Sequence, residues 1–245
     1  GKIKSTYIDG YLHYINNATG NIHPDMFALS TETGRMNCKN PNAQNLPRKT
    51  NDPIGVRSFI HAPEGHCILS LDFSQIELRV GAFYCRDKTM METYQRGGDI
   101  HAATTSVIFG CSYDEAQDKH RAGYKEQRTI AKNVNFGTFY GLFPRGLQKT
   151  LKFKAGVDKT VEECGQIIAN LKAGYPGLTA WQEATKHTAA MRGYSETWLG
   201  RRRYLPNINN SDWGQKSFAE RCALNTPIQG TAADILKLAI VRILK

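Results

Sequence analysis

The chain has 245 residues, enough to bury a sizeable core in one large domain or two subdomains. Its 32 Lys and Arg against 22 Asp and Glu give a formal charge of +10, which favours a polyanionic partner. No stretch approaches the roughly 18 apolar residues of a membrane span, and no signal-peptide pattern opens the sequence. The six cysteines form no CxxC pair, which disfavours zinc and favours reduced thiols in an intracellular compartment.

The first part of the chain predicts short strands and turns. Residues 1–60 are rich in Asn, Gly, Pro and Thr, with short alternating runs. The compact apolar run Cys67–Phe73 predicts a buried strand that carries Asp72 at its carboxyl end. A helix that packs on the sheet is predicted for Ser74–Tyr84.

Helices dominate the prediction from residue 99 onward, with a single hairpin among them. The predicted helices are Asp99–Gly110, Ser112–Tyr140, two within Val161–Arg192 flanking the Gly174–Gly177 turn, and Ser217–Leu224 and Thr231–Lys245, separated by Pro227. A hairpin is predicted over Tyr194–Tyr204, around Gly200.

The last predicted helix, Thr231–Lys245, is apolar on nearly all sides, as a core helix is. A natural chain end is usually polar and frayed. We therefore expect the sequence to be a truncated or divided polypeptide.

A row of four residues spaced four apart is the clearest local pattern. Arg128, Lys132, Phe136 and Tyr140 would form a slowly spiralling helical stripe about 18 Å long, with two cations followed by two rings. Cations suit a polyphosphate and rings suit a base and sugar. On spacing alone, an amphipathic helix with solvated charges and core aromatics stays an open alternative.

The segment RTIAKNVNFGTFYG resembles motif B of the family A DNA polymerases, the bacterial and phage DNA polymerase I type. Further segments match that family in the same linear order. KIKSTYID resembles the end of the thumb, TGRMNCKNPNAQNLP the palm strands that meet the primer-template, LSLDFSQIELRV motif A, and GDIH the entry to the fingers. GYSETWLGRRRYLP and LNTPIQGTAAD complete the series.

The resemblance implies a mixed α/β (α+β) fold, in which a right-hand polymerase palm with an antiparallel sheet is joined to helical fingers. Residues 1–98 would hold the end of the thumb and the palm with motif A, 99–192 the fingers with motif B, and 193–245 the continuation of the palm. The implied activity is template-directed addition of dNMP to a primer 3′ end, with pyrophosphate release. The implied partners are primer-template DNA and dNTPs, and the implied location is the cytoplasm of a bacterial cell or phage-infected host.

Two Mg²⁺ ions are the implied cofactors. In the family pattern Asp72 holds both ions, and the backbone carbonyl of Phe73 helps. A carboxylate at the end of a rigid element suits such a hard cation. The alternative is that Asp72 only caps the following helix.

Glu77 corresponds to the family's steric gate, whose side chain crowds the sugar 2′ position and disfavours ribonucleotides. The alternative is a surface helix carboxylate. A glutamate here also argues against a single-subunit RNA polymerase, in which that position is small.

The resemblance assigns phosphate contacts to three residues: Arg128 at the γ-phosphate end, Lys132 at the α/β end and His101 at the β-phosphate. Arg128 and Lys132 would offset charge that develops in the transition state, so that the catalytic residues are Asp72, Lys132 and Arg128. A packing or capping role stays open for His101.

The remaining nucleotide contacts are aromatic. Phe136 would stack on the incoming base and sugar, and its lack of a ring hydroxyl implies discrimination against dideoxynucleotides. Tyr140 would close over the templating base. The full implied nucleotide-binding set is Phe73, Gln75, Glu77, His101, Arg128, Lys132, Phe136 and Tyr140.

A further set of residues is implied to contact DNA. Donors in the minor groove test pairing geometry without reading sequence, because its acceptors are nearly the same for every base pair. The set is Lys4, Ser5, Thr6, Arg35, Asn42, Gln44, Asn45, Lys49, Tyr140, Asn225 and Gln229. Each of the polar groups could instead be a turn residue, and Arg201–Arg203 could meet the template or solvate a hairpin.

Motif C, a His-Asp-Glu turn that carries the family's second metal-binding carboxylate, does not occur in this sequence. We therefore expect the chain alone to polymerise weakly or not at all, since one carboxylate holds two cations poorly. A downstream segment or a second polypeptide would supply motif C. The alternatives are a catalytically incomplete fragment that binds DNA and dNTPs, and one half of a split polymerase whose apolar C-terminal helix docks the other half.

Overall fold

The computed structural model describes residues 4–47, 52 and 54–244, and it divides into two compact units, Gly1–Ser74 and Gln75–Lys245. The predicted contact residue Lys49 lies outside the described residues.

The first unit contains short elements, as its turn-rich composition predicts. A π-helical turn, Lys4–Ile8, leads into the short helix α1 (Asp9–Leu12). Strands β1 (Asp25–Phe27) and β2 (Asn37–Lys39) pair antiparallel, with Met26 opposite Cys38. Two 3-10 turns follow, Ala43–Asn45 and Val56–Phe59.

The prediction of a buried strand over Cys67–Phe73 is wrong for this structure. The segment has no regular secondary structure, and Leu69 and Leu71 are 70% and 69% exposed. A strand is stable only when a neighbour completes its ladder of hydrogen bonds and covers one face. No described residue pairs with this segment, so its apolar side chains stay uncovered.

The second unit is a helical assembly with one hairpin. Its helices are α2 (Ile76–Cys85), α3 (Lys88–Gln95), α4 (Ile100–Phe109), α5 (Tyr124–Thr138), α6 (Pro144–Thr150), α7 (Val161–Gly174), α8 (Pro176–Arg192), α9 (Trp213–Asn225) and α10 (Thr231–Ile243). Strands β3 (Tyr194–Glu196) and β4 (Arg202–Tyr204) form the antiparallel hairpin that the sequence predicts.

The core of the second unit lies where α4, α5, α7 and α8 meet. Ile130 and Val134 of α5, together with Leu171 and Tyr175, are almost fully buried in one cluster. Since α5 and α4 pack closely, burial on one face of α5 fixes which residues its other face presents.

Helix boundaries differ from the prediction at residues 112–123, which form turns instead of the start of a long helix. The Ser112 hydroxyl accepts from the backbone N–H of Glu115, and the Glu115 carboxylate accepts from the N–H of Ser112. This closes a local turn. Gly123 then adopts a left-handed conformation (φ +77°), which separates these turns from α5, beginning at Tyr124.

The structure also differs from the prediction at α3, at α6 and around Pro227. Helices α3 and α6 were not predicted, although Asp87 accepts from the N–H of Met90 as a regular cap of α3. Pro227 interrupts less than expected, because a π-helical turn, Thr226–Gly230, carries the chain from α9 into α10.

Helix α10 is buried only over its first turn, Thr231–Asp234. Farther along, Val241 is 51% and Leu244 81% exposed, so the described helix is not the fully buried one that its apolar sequence predicts. Neither α10 nor any other helix in the described part of the chain is long and apolar enough to cross a membrane.

The architecture is therefore mixed and rich in helices, with two small antiparallel sheets. This confirms the prediction of a mixed fold with antiparallel strands. The division into palm and fingers at residues 98 and 192 stays a prediction.

Gly81 of α2 packs directly against the ring of Phe139, which follows α5. A Cβ at Gly81 would lie 2.5 Å from the ring carbons of Phe139, closer than any real contact. Phe139 is itself buried in the core, so the ring has little room to move.

We expect Gly81→Ala to lower the free energy of unfolding by about 1–3 kcal/mol, because the added methyl group overpacks this contact. Gly165→Ala in α7 is the matched control, since its nearest neighbour, Pro144 Cγ, would lie 4.0 Å away. We expect the control to have the free energy of unfolding of the wild type or one higher by up to about 1 kcal/mol, because alanine favours the helical conformation. Urea unfolding measures both, and equal midpoints would contradict the close contact.

Candidate functional site

Helix α5 presents Arg128, Lys132 and Phe136 of the predicted stripe on the side away from the core, whereas Tyr140 packs against the core cluster. Ile130, Ala131 and Val134 are buried, whereas Lys132 is exposed and Phe136 is 62% exposed. The exposure of Phe136 excludes the alternative of a core aromatic at this position. Tyr140 lies just beyond the end of the helix at Thr138 and is half-buried.

Arg128 is held by a carboxylate from the neighbouring helix. Its Nη2 donates to Asp99 Oδ2, and Asp99 Oδ1 caps α4 by accepting from the backbone N–H of His101 at 2.8 Å. Burial raises the pKa of Asp99, but the hydrogen bonds from Arg128 and from the His101 N–H outweigh it and leave the pKa lowered. Asp99 is therefore ionised at neutral pH and fixes the guanidinium.

His101 lies beside the two cations of α5. Burial lowers its pKa, and the charges of Arg128 and Lys132 lower it further, against an opposing effect of Asp99. The imidazole is therefore neutral at pH 7. His101, Arg128 and Lys132 form one electrostatic group, here called the α4–α5 cluster, which brings together all three predicted phosphate contacts.

Glu77 and Tyr140, predicted from separate motifs, are in direct contact. The Tyr140 hydroxyl donates to Glu77 Oε2 at 2.5 Å. Both side chains are half-buried. The contact ties the first turn of α2 to the end of α5, and it fixes the direction in which the Glu77 carboxylate points.

Gln75 precedes α2 with φ +54°, and its Oε1 accepts from the Tyr94 hydroxyl at 3.4 Å. Asp72 and Phe73 belong to the first unit, where both side chains are exposed. Within residues 4–47, 52 and 54–244, no three His, Cys, Asp or Glu side chains gather as a metal-binding group. A cleft shared by Asp72 and the α4–α5 cluster stays a prediction.

Several of the predicted DNA contacts in the first unit make structural hydrogen bonds. The Asn42 side chain accepts from the N–H of Gln44, and Gln44 Nε2 donates to the carbonyl of Met36. The carbonyl of Asn45 accepts from the Tyr7 hydroxyl at 2.5 Å. Lys4, Ser5, Thr6 and Arg35 are exposed.

In the second unit, Asn225 and Gln229 lie one turn apart and contact each other at 3.5 Å. Two residues of the arginine run make internal contacts, and the choice between meeting the template and solvating the hairpin stays open. Arg201 donates to Asp234 Oδ1 at 2.9 Å and to the carbonyl of Gly230, so it secures α10 to the hairpin. Arg202 stacks on Tyr194 and pairs with Glu196.

Sequence reasoning missed the residues that support the cluster. Asp99 could have been found as the helix cap that precedes His101 in GDIH. Asn135, Thr104 and Tyr175 form a buried polar chain that ends at His101. No local pattern signals it, because its hydrogen-bonded partners lie 31 to 71 residues apart in the sequence.

Comparison with known proteins places these features in a family. The model of DNA polymerase family A matches residues 1–245. The chain is 38% identical over 242 residues to DNA polymerase I of Pseudomonas aeruginosa, covering 99% of this chain and 25% of that protein. It is 39% identical over 244 residues to the thermostable DNA polymerase I of Thermus aquaticus, covering 99% of this chain and 28% of that protein.

A solved structure is also similar: the POL domain of Pol1 from M. smegmatis in complex with DNA primer-template and dNTP. The TM-score is 0.84 at 33% identity, and the match covers 98% of this chain and 40% of that one. The chain thus spans about a quarter of the length of the curated relatives it matches. With the family model matching from end to end, the chain belongs to DNA polymerase family A.

Proposed function

We propose that this chain is the nucleotide-binding and duplex-binding part of a DNA-directed DNA polymerase, which adds dNMP to a primer 3′ end and releases pyrophosphate. The observation that carries the proposal is the α4–α5 cluster, set beside exposed Phe136 on one face of α5. In a family A chain, this arrangement offers cations for a triphosphate and a ring for its base.

The parts of the cluster have different tasks. Arg128, fixed by Asp99, offers further guanidinium donors to the γ-phosphate end, and Lys132 offers an exposed ammonium to the α/β end. Both would offset negative charge on the leaving pyrophosphate. His101 contributes a neutral hydrogen-bond donor at the β-phosphate, and Phe136 contributes a stacking surface.

Glu77 is proposed to exclude ribonucleotides. Its carboxylate is held by the Tyr140 hydroxyl, so it is fixed before substrate arrives. A 2′-hydroxyl would meet a side chain that is unable to turn aside without breaking this hydrogen bond.

Asp72 is proposed to supply one carboxylate for Mg²⁺, with the carbonyl of Phe73 beside it. When bound, the two ions would activate the primer hydroxyl and stabilise the departing pyrophosphate. The described residues do not by themselves form a site for two ions, because no three ligand side chains gather. We therefore propose that Asp72 and Phe73 supply only part of the ligand set for the two ions.

The subdomain assignment is part of the proposal. Residues 99–192 would be the fingers, which agrees with the run of helices from α4 to α8. Residues 1–98 and 193–245 would contribute to the thumb end and the palm. The DNA-contacting set would follow the minor groove and the phosphates, with Asn225 and Gln229 as neighbouring donors on one face.

A second candidate is a chain that binds DNA and dNTPs without catalysing synthesis on its own. The lack of a His-Asp-Glu motif in this sequence favours it. One experiment on the full chain tests the binding that both candidates require and the weak extension that only the first allows. It combines binding and extension with the same primer-template.

We expect the chain to bind primer-template DNA with an affinity that falls steeply with salt, and to extend the primer weakly or not at all with Mg²⁺ and dNTPs. Gel shifts between about 50 and 200 mM salt and an extension assay measure the two quantities. Robust extension by the chain alone would contradict the claim that a second metal-binding carboxylate is missing. A dissociation constant for DNA that does not change with salt would contradict contacts to the DNA phosphates.

We expect Lys132→Ala and Arg128→Ala each to weaken dATP binding about tenfold or more, about 1.4 kcal/mol, because each removes a charged phosphate donor. Lys172→Ala is the matched control, since Lys172 is an exposed lysine on α7. Calorimetric titration with dATP measures the dissociation constants. Equal losses in all three variants would point to general charge effects and contradict the site.

We expect Glu77→Ala to bring the dissociation constants of ATP and dATP closer together by about tenfold, because the carboxylate no longer crowds the 2′ position. Glu162→Ala removes an exposed carboxylate from α7 and should leave the ratio unchanged. The same titration measures both. An unchanged ratio of the ATP and dATP dissociation constants in Glu77→Ala would contradict the assignment of Glu77 as the steric gate, without contradicting dATP binding by the chain.

A further inference from the structure

A buried chain of four polar side chains runs through the core behind the α4–α5 cluster. The Tyr175 hydroxyl lies 2.9 Å from Thr104 Oγ1, Thr104 Oγ1 lies 2.9 Å from Asn135 Oδ1, and Asn135 Nδ2 lies 2.9 Å from His101 Nδ1. Tyr175 and Thr104 are 0% exposed, and Asn135 is 1% exposed. Two helices, α4 and α5, and the turn between α7 and α8 therefore meet at this chain.

The hydrogen bonds in the chain run in one direction. Burial raises the pKa of Tyr175, so its hydroxyl keeps its proton. Among the described residues, Thr104 Oγ1 is the acceptor available to that proton. Thr104 must then donate onward to Asn135 Oδ1.

This direction fixes the orientation of the Asn135 amide. With Oδ1 turned to Thr104, the amide nitrogen faces His101 Nδ1. The flipped amide would donate to Thr104, whose hydroxyl can accept from both Asn135 and Tyr175, but the buried Thr104 proton would then lose Asn135 Oδ1 as its acceptor. His101 Nδ1 is therefore an acceptor and carries no proton.

A neutral imidazole has one ring proton, so an unprotonated Nδ1 places it on Nε2. The groups charged at neutral pH around the ring are Asp99, Arg128 and Lys132, and their combined effect with burial keeps the ring neutral. The described residues give Nε2 no hydrogen-bond partner, which leaves its N–H for a ligand.

We propose that Asn135 is a positioning residue that holds His101 in the Nε2–H tautomer, with Thr104 and Tyr175 fixing the Asn135 amide. His101 then presents a donor to an anionic phosphate oxygen, whereas the opposite tautomer would present a lone pair and repel it. The assignment of a phosphate as the ligand of His101 rests on the proposed function, whereas the assignment of the tautomer does not.

The test is nitrogen-15 NMR of the full chain labelled at histidine, above pH 7, where His101 is neutral. Correlations from the ring carbon protons distinguish a protonated from an unprotonated ring nitrogen, and His101→Gln assigns the signals among seven histidines. We expect His101 to show a single tautomer with the proton on Nε2. Exposed His13 serves as the internal control and should exchange between both tautomers.

Asn135→Asp tests the cause, because a carboxylate can only accept and therefore demands a proton on Nδ1. We expect the His101 Nδ1 signal to become that of a protonated nitrogen. Thr104→Ser keeps the hydroxyl and should keep the wild-type tautomer. If Asn135→Asp fails to fold, the wild-type spectrum still decides: a proton on Nδ1, or averaged tautomers as in His13, would overturn the proposal.

Inorganic tripolyphosphate separates this inference from the proposed function. We expect its addition to shift the His101 Nε2–H resonance in the wild type and to leave the His13 signals unchanged. A single Nε2–H tautomer whose resonance does not respond would uphold the role of Asn135. The same result would contradict the phosphate contact of His101.

Discussion

The site depends on how α4 and α5 hold their polar groups together. The two cations of α5, Arg128 and Lys132, disfavour a positive charge on His101, and Asp99 balances part of their charge by pairing with Arg128 while it caps α4. The same carboxylate lies near His101 and opposes the loss of its proton without restoring its charge. One acidic side chain thus anchors a group whose net charge stays positive.

The helix that carries the stripe also carries the core. Ile130 and Val134 fill the interior, while Lys132 and Phe136 project from the other side. At its end, the Tyr140 hydroxyl meets Glu77, which joins the stripe to α2. The core contacts of α5 and the Tyr140–Glu77 hydrogen bond at its end hold the charges and the ring of α5 in a fixed relation to the carboxylate of α2.

Much of this could be predicted from the sequence because the information is local. Spacing of four placed Arg128, Lys132 and Phe136 on one face, and the motif order identified Glu77 and His101 as their companions. The partners of those residues were not predictable, because Asn135 and His101 are 34 residues apart and meet only through helix packing. The prediction of a strand over Cys67–Phe73 is wrong although the segment is apolar. A strand also needs a neighbouring strand, and no described residue provides one.

The close approach of Gly81 and Phe139 limits how this sequence can diverge. Phe139 immediately precedes Tyr140. The packing of the Phe139 ring against Gly81 of α2 therefore helps to position the Tyr140 hydroxyl for its hydrogen bond to Glu77. A larger residue at 81 would be tolerated only together with a smaller one at 139. The two positions should therefore vary as a pair in related chains, and a library that randomises either one alone should recover mainly the parent residue.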